Sequence, residues 1–335
     1  MKKLSSVLLA LVLVFAFGFA AFAGSAADEG SFGAYEHVFI LGVDGAGRFF
    51  KDIDTPNFDR MFENGAVKYD ARAEVKTDSG PNWGAILTGA SIFKTGLQNG
   101  VTGEAERTSE TDFPTVFTYL RKAHPDAVLA SFVHWNNINN GIIETDVDVY
   151  KFDVGSDDGV TDAICEYLDS GNAPELMFVQ LDDVDGAGHG YGSKSDEYFE
   201  AIKVADAQLG RIYDSIVANG LLDTSLIIVT ADHGHTLTGG HGGITLRESQ
   251  VMIAIAGKTV VAGGKLDAGT RNRDIADIAL YALGVETPDT MTARVPSNLF
   301  AGVNGESRPG AKDLADALIS AFVWPLTLIT GIFGA

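Results

Sequence analysis

The residues best suited to chemistry lie in one short segment, Thr230-Ala-Asp-His-Gly-His-Thr-Leu-Thr-Gly-Gly-His-Gly242. It places Asp232 and His233 directly after an apolar run, and it holds three of the seven histidines of the chain. A continuous apolar run is typical of a strand buried on both faces, and open α/β sheets bind ligands beyond the carboxyl ends of such strands. Carboxylates and imidazoles are ligands of borderline metals such as zinc and manganese. The segment therefore predicts a metal site, with ordinary loop hydrogen bonds as the alternative.

Acidic residues and histidines also follow two other predicted strands. Asp44 ends an early apolar strand, and Asp185 and His189 follow a later one. Because Gly186-Ala-Gly188 separates Asp185 from His189, the sequence predicts a flexible loop there and not a stable helix face. Six nitrogen and oxygen ligands suffice for two metal sites of three protein ligands each, which leaves positions open for a substrate. The six predicted ligands are Asp44, Asp185, His189, Asp232, His233 and His241.

Ser79 is the predicted nucleophile. In the segment Thr77-Asp-Ser-Gly-Pro-Asn-Trp83, Pro81 is typical of the first turn of a helix, so Ser79 lies at or next to a helix N-terminus. A free serine hydroxyl is a weak nucleophile near neutral pH, whereas a metal ion bound to Ser79 would activate it as an alkoxide. Thr77 and Asp78 are the rival nucleophiles, and Ser79 is preferred for its spacing to the Pro-Asn pair.

Other polar groups of these segments are candidates for binding a substrate. The backbone N–H of Gly80 and the side-chain amide of Asn82 would hold a phosphoryl oxygen, helped by the helix N-terminus. The alternative for Asn82 is a helix-capping role. His235 is interpreted as a solvated loop residue, and it is the alternative to His241 as a ligand.

The order of these motifs resembles the alkaline phosphatase superfamily, and its nearest branch is the type I phosphodiesterase / nucleotide pyrophosphatase family. The resemblance covers roughly residues 37–300. Each motif is weak by itself, but their order along the chain is specific. The motifs are Asp44, Ser79-x-Pro-Asn82, Asp185-x-x-x-His189, Asp232-His233-Gly234 and His241-Gly242.

The resemblance implies a doubly wound sheet with two zinc ions on one face. It assigns one metal to Asp185, His189 and His241. The other metal is assigned to Asp44, Ser79, Asp232 and His233. It further implies attack by the serine, a covalent phospho-enzyme, and hydrolysis by metal-activated water. Manganese is the alternative to zinc for this set of ligands.

One departure from related enzymes bears on the substrate. Sulfatases of the superfamily use Cys/Ser-x-Pro-x-Arg, but Trp83 stands at the arginine position here, so a sulfatase-type oxidised nucleophile is not expected. Two divalent cations and three carboxylates sum to about +1, which suits a diester monoanion better than a monoester dianion. The sequence thus predicts a two-metal phosphoric ester hydrolase that favours phosphodiester or pyrophosphate substrates. The alternatives are a phosphomonoesterase, a sulfatase or phosphotransferase of this superfamily, and an inactive metal-binding surface protein.

The fold prediction comes from alternating strand and helix patterns. They indicate an α/β fold, namely a doubly wound, mostly parallel sheet with helices on both faces. The chain has 335 residues and a formal net charge of −21, which would repel the phosphates of duplex nucleic acid. The resemblance, and not the charge, implies a small phosphate ester as the partner. The predicted strands are 37–43, 127–133, 176–181, 226–230 and 251–256.

The two ends of the chain carry apolar segments. Residues 1–23 combine two lysines, an apolar run and a small-x-small cleavage site, so they predict a signal peptide and export, with an uncleaved anchor as the alternative. Residues 24–300 are the predicted catalytic domain. Residues 301–335 are a linker and an apolar segment that would contact a membrane or dock on the domain. The expected location is extracellular or at the cell surface.

Overall fold

The structure is a computed structural model that describes residues 30–100, 106–264, 266–297 and 299–302. The predicted signal peptide, 1–23, lies outside the described residues, and so does the C-terminal segment apart from residues 301 and 302. No helix within the described ranges is long and apolar enough to cross a membrane.

The described residues form a seven-stranded sheet. Its strands are β1 His37–Val43, β2 Ala66–Arg72, β3 Leu129–Val133, β4 Tyr150–Asp153, β5 Leu176–Leu181, β6 Ser225–Thr230 and β7 Gln250–Ala256. Their order across the sheet is β2-β7-β6-β1-β5-β3-β4. The run from β6 to β4 is parallel, and β7 pairs antiparallel with both β6 and β2. The mostly parallel sheet predicted from the sequence is confirmed.

Helices connect the strands and cover both faces of the sheet. The helices are α1 Pro56–Phe62, α2 Ser79–Thr88, α3 Ile92–Thr95, α4 Val116–Ala123, α5 Asp157–Asp169, α6 Asp183–Tyr191, α7 Asp196–Ala218, α8 Leu246–Ser249 and α9 Asp274–Ala282. One group packs around α7 and includes α1, α5 and α6, while α9 packs against α2 and α4. Every residue of β1, β5 and β6 is buried, which requires a layer on each face.

The register of the three central strands determines where the predicted metal ligands lie. In the pairing of β1 with β5, Val43 is opposite Leu181, and in the pairing of β1 with β6, Gly42 is opposite Thr230. Their carboxyl ends therefore meet at the same edge of the sheet. The segments that follow these three strands carry all six of the predicted aspartate and histidine ligands, so the fold brings these six residues together.

Residues 183–191 correct one sequence prediction, because they form helix α6 and not a flexible loop. The carboxylate of Asp157 accepts hydrogen bonds from the backbone N–H groups of Asp182 and Asp183, at 2.7 and 3.0 Å. This contact satisfies donors that the start of a helix leaves unpaired, and α7 packs against the helix. Tertiary contacts thus overcome the low helix propensity of the three glycines in this helix.

Candidate active site

Asp44, Asp232 and His233 form a fully buried group at the ends of β1 and β6. Their ligand atoms all lie within 4.8 Å of one another. The Nε2 atom of His233 lies 3.3 Å from Oδ2 of Asp232 and 3.5 Å from Oδ1 of Asp44. The Nδ1–H of His233 donates to the carbonyl of Gly234 at 3.2 Å, which leaves the Nε2 lone pair directed at the two carboxylates.

A buried carboxylate oxygen in this group indicates that a cation fits there. Oδ1 of Asp232 accepts from the backbone N–H groups of Gly45 and His233, at 3.1 and 2.8 Å. Oδ2 of Asp232 is buried without a hydrogen-bond partner among the described residues. Burying such an oxygen unpaired costs roughly 1–3 kcal/mol or more, which a bound cation would offset.

Asp185, His189 and His241 form a second, more open group. Their ligand atoms also lie within 4.8 Å of one another, and the side chain of His189 is 52% exposed. The Nε2 atoms of the two histidines are 3.0 Å apart. Because Nδ1–H of His241 donates to the carbonyl of Thr77 at 2.9 Å, its Nε2 is free to act as a ligand. We refer below to Asp44, Asp232 and His233 as the buried group and to Asp185, His189 and His241 as the open group.

Ser79 lies against the buried group. It is the first residue of α2, and its Oγ is 3.1 Å from Nε2 of His233 and 3.5 Å from Oδ1 of Asp44. The two groups are contiguous, since Oδ1 of Asp185 lies 3.9 Å from Nε2 of His233. One serine hydroxyl therefore borders a continuous set of carboxylates and imidazoles.

The electrostatics of the two groups differ. Burial first, and then the charges of neighbouring carboxylates, raise the pKa of Asp44 well above its usual value, and burial likewise raises that of Asp232. Burial and the nearby His241 lower the pKa of His233 well below its usual value. Burial opposes ionisation of Asp185, but hydrogen bonds from His189 and His235 outweigh it and lower the pKa of its carboxyl. Negative charge on the buried group is thus unfavourable without a cation, and bound cations would neutralise it.

His235 is part of the site, and its interpretation as a solvated loop residue is wrong. Its side chain is fully buried, and its Nε2 lies 2.8 Å from Oδ1 of Asp185. The ring occupies space that two glycines leave open. A Cβ atom on Gly188 would lie 2.3 Å from the ring, and one on Gly45 would lie 2.8 Å from it. These glycines, each close in sequence to a predicted ligand, were the signal for a buried ring.

Asn82 has a structural role in the fold, and its amide is not available for the predicted contact with a phosphoryl oxygen. Its Oδ1 accepts from the backbone N–H of Glu74 and from the side chain of Asn272, each at 2.8 Å. Its Nδ2 donates to the carbonyls of Lys76 and Asp78, at 3.1 and 2.9 Å. With both polar atoms engaged and the side chain buried, Asn82 holds the loop that precedes the serine.

Asn99 is a polar residue of the site that the sequence analysis missed. The predicted free N–H of Gly80 donates to Oδ1 of Asn99 at 2.7 Å, so the exposed amide of Asn99 is held beside Ser79. No motif connects Asn99 with the serine, because twenty residues separate them and only the fold brings them together.

Comparisons with known proteins identify the family. The model of a family described as type I phosphodiesterase / nucleotide pyrophosphatase matches residues 38–249, more than half of the chain. The human ectonucleotide pyrophosphatase/phosphodiesterase family member 7 is 36% identical over 62 residues, 18% of this chain and 14% of that protein. The GPI ethanolamine phosphate transferase 1 of Saccharomyces cerevisiae is 23% identical over 166 residues, 44% of this chain and 18% of that protein. The matches thus span less than a fifth of these relatives.

Solved structures share the fold. Murine ectonucleotide pyrophosphatase / phosphodiesterase 5, in complex with AMP, superposes with a TM-score of 0.63 at 13% identity, covering 76% of this chain and 96% of that one. The lipoteichoic acid synthase LtaP of Listeria monocytogenes gives 0.58 at 14% identity, covering 78% of this chain and 75% of that one. At such identities the likeness shows the fold alone. The family match, which spans the segments carrying all six predicted ligands and Ser79, shows that this chain belongs to the type I phosphodiesterase / nucleotide pyrophosphatase family.

Proposed function

We propose that the protein is a two-metal phosphoric ester hydrolase that acts through a seryl phospho-enzyme and favours phosphodiester or pyrophosphate substrates. The observation that carries this proposal is the position of the Ser79 hydroxyl, 3.1 Å from His233 in the buried group. Family membership supports the reaction class. The complex of a fold relative with AMP supports a small nucleotide-like ester as the kind of substrate.

Two divalent cations fit the two groups of ligands. Asp185, His189 and His241 would hold one. The buried group and Ser79 would hold the other. Zinc is the expected ion for this set of nitrogen and oxygen ligands, and manganese is the alternative. When bound, the cations supply activation of the nucleophile and neutralisation of charge on the phosphoryl group.

The chain itself positions the reacting groups. Helix α2 presents Ser79 at its N-terminus, where the helix dipole favours an anionic phosphoryl group. The Nδ1–H contact of His233 with Gly234 keeps the Nε2 lone pair facing the serine hydroxyl. We assign to the exposed amide of Asn99, held by Gly80, the donation of a hydrogen bond to a substrate oxygen.

The variant Ser79→Ala tests the serine. We expect turnover of a bis-aryl phosphate to fall by about a thousandfold or more, because the phosphoryl acceptor is gone, while zinc content stays near that of the wild type. In the wild type, rapid quenching followed by mass spectrometry should find the phosphoryl group on the peptide that contains Ser79. Near-normal turnover by the variant would remove Ser79 from this role.

A substrate panel separates the alternatives. Zinc-loaded and manganese-loaded wild-type protein would be assayed with a bis-aryl phosphate, an aryl phosphate and an aryl sulfate. We expect the highest kcat/KM for the diester. A preference for the monoester would indicate a phosphomonoesterase, a preference for the sulfate a sulfatase, and no turnover with both metals bound an inactive metal-binding protein.

We also propose that the protein is exported, on the basis of residues 1–23. N-terminal sequencing of the mature protein from its natural host should begin at Gly24. A mature chain that begins at the initiator methionine would contradict cleavage, and recovery of that chain in the membrane fraction would support an uncleaved anchor. Removing residues 303–335 tests the proposed membrane contact, because a protein anchored through them should become freely extractable.

A further inference from the structure

We infer that Trp83 and Gln180 are positioning residues that hold the carboxylate of Asp44 so that only its Oδ1 faces the metal and Ser79. This inference rests on the proposed two-metal function and deepens it. It also assigns a role to Trp83, which stands at the position where sulfatases of the superfamily have arginine.

The two oxygens of Asp44 have different surroundings. Oδ2 accepts hydrogen bonds from Nε1 of Trp83 at 2.7 Å and from Nε2 of Gln180 at 3.0 Å. Oδ1 lies 3.5 Å from both Nε2 of His233 and Oγ of Ser79. Because the carboxylate is only 1% exposed, water does not compete for these positions. Two strong donors therefore occupy Oδ2 and leave Oδ1 for a cation.

Helix α2 supplies both the nucleophile and one donor. Ser79 and Trp83 are four residues apart, so they lie on the same face of the helix. The hydroxyl of Ser79 approaches one oxygen of Asp44, and the indole of Trp83 binds the other. Any shift of the helix relative to Asp44 would have to break the indole contact, so this contact sets the position of the serine against the buried group.

Gly42 in β1 leaves the space that the indole of Trp83 occupies. A Cβ atom on Gly42 would lie 2.4 Å from the Trp83 ring, so a larger residue there would displace it. The ring also meets Phe178 edge-on, with centroids 5.6 Å apart. A glycine inside a fully buried strand loses packing, and close approach of another group is the usual reason for it.

The second donor, Gln180, is itself fixed. Its Oε1 accepts from the backbone N–H groups of His134 and Trp135, at 3.1 and 2.9 Å. Its Nε2 donates to Oδ1 of Asp182 at 2.6 Å as well as to Asp44. The Oε1 atom of Gln180 thus contacts only donors and its Nε2 atom only acceptors, which defines a single orientation of the side-chain amide. Gln180 is on β5, so Asp44 is held from two independent elements.

A carboxylate without these donors would be free to turn. It could then offer both oxygens to one cation or move away from Ser79, and Oδ2 would be left buried and unpaired. Loss of a hydrogen-bond partner of a metal ligand typically lowers metal affinity or activity by about 10- to 100-fold. The effect should fall on the ion at Asp44 and spare the ion at the open group.

The sharpest test removes only the indole N–H. Incorporation of 3-benzothienylalanine at position 83 replaces that N–H with sulfur and keeps the ring shape. The same replacement at Trp135, whose contact with Gln180 comes from its backbone, is the matched control. Chelator-stripped proteins would be titrated with zinc by calorimetry, and the ion lost in Asp44→Asn identifies the affected site.

We expect the variant at position 83 to bind one zinc ion about 10- to 100-fold more weakly than the wild type and the other with unchanged affinity. Gln180→Met should give the same pattern, and the control at position 135 should match the wild type in both ions. Circular dichroism checks that each variant is folded. If both the position-83 variant and Gln180→Met bind the two zinc ions with wild-type affinities, the inference is overturned and the proposed function stands. A wild type that binds fewer than two ions would overturn the proposed function and the inference together.

Discussion

The buried group and the open group contain the same ligand types in opposite surroundings. Asp44, Asp232 and His233 have exposures of 0 to 1%, whereas the side chain of His189 in the open group is 52% exposed. In the buried group, backbone and side-chain donors hold one oxygen of each aspartate. In the open group, His189 and His241 meet each other at 3.0 Å with one ring at the surface.

The difference suggests a division of labour. Under the proposed two-metal function, the buried group, which is rigid and costly when empty, suits the ion that would fix the nucleophile. The open group would exchange water and ligands readily, so it suits the ion that would meet the incoming substrate. Ser79 borders the buried group, in agreement with this division.

The largest contrast is expected between His233→Ala and His189→Ala. Loss of His233 removes a proposed metal ligand of the buried group and the contact with Ser79, so kcat/KM should fall by about a thousandfold or more. Loss of His189 leaves Asp185 and His241 in place, so the fall should be nearer 10- to 100-fold and excess zinc should restore part of it. Steady-state kinetics over a range of zinc concentrations measures both.

One outcome would contradict the contrast expected between these two histidine variants. If excess zinc restores His233→Ala as fully as His189→Ala, the two groups do not differ in rigidity. Metal content by atomic emission, measured on the same samples, distinguishes loss of the ion from loss of the serine contact.

A smaller effect is expected from filling the space beside His235. Gly188→Ala would place a Cβ atom 2.3 Å from the His235 ring, which must then move and release Asp185. Zinc affinity at the open group should fall by roughly tenfold. Gly186→Ala is the matched control, because it lies in the same helix and its Cβ meets nothing within 4 Å.

Calorimetric titration of the two alanine variants gives the answer. Gly186→Ala should retain wild-type affinity and gain about 0.5–1 kcal/mol in stability from helix propensity. Equal zinc affinities in the two variants would show that His235 does not support Asp185, and the open group would then be independent of its buried neighbour.

The same residues show what the sequence could and could not predict. The strands that precede Asp44, Asp185 and Asp232 were predicted well, because continuous apolar runs indicate strands buried on both faces. The edge strands β2 and β4 were not predicted, since they mix charged and apolar residues. Strand ends in the sequence therefore predict where the candidate site lies.

Contacts distant in sequence explain the errors. Helix α6 depends on Asp157, which lies more than twenty residues before it, so a local interpretation of Gly186-Ala-Gly188 gave a loop. The roles of Asn82 and Asn99 were missed for the same reason. Asn82 contacts Asn272 across the fold, and Asn99 reaches Gly80 only after the chain has turned back. Residue type alone does not show which amide has a free donor.

The mildest effect concerns the pH dependence of stability in metal-free protein. Asp44 and Asp232 have raised pKa values when folded, mainly through burial, so the folded state binds more protons than the unfolded state above about pH 4. Their contribution is fully present below that pH and is lost as the pH rises through the folded pKa values.

The lowered pKa of Asp185 acts in the opposite sense, and its stabilisation is lost as the pH falls below about 4. Above about pH 5 Asp185 is ionised in both the folded and the unfolded state, so it adds no pH dependence there. The two buried carboxyls should therefore make the thermal midpoint of metal-free protein decline from pH 5 towards neutrality, by about 2–4 °C for each kcal/mol lost. The lowered pKa of His233 acts in the opposite sense and makes this decline shallower. Asp232→Asn should flatten the decline, and Asp158→Asn, a change at an exposed carboxylate, should leave it unchanged. A midpoint that rises over this range would mean that the buried carboxylates are stabilised in their charged form without metal, and the contrast between the two groups would lose its electrostatic basis.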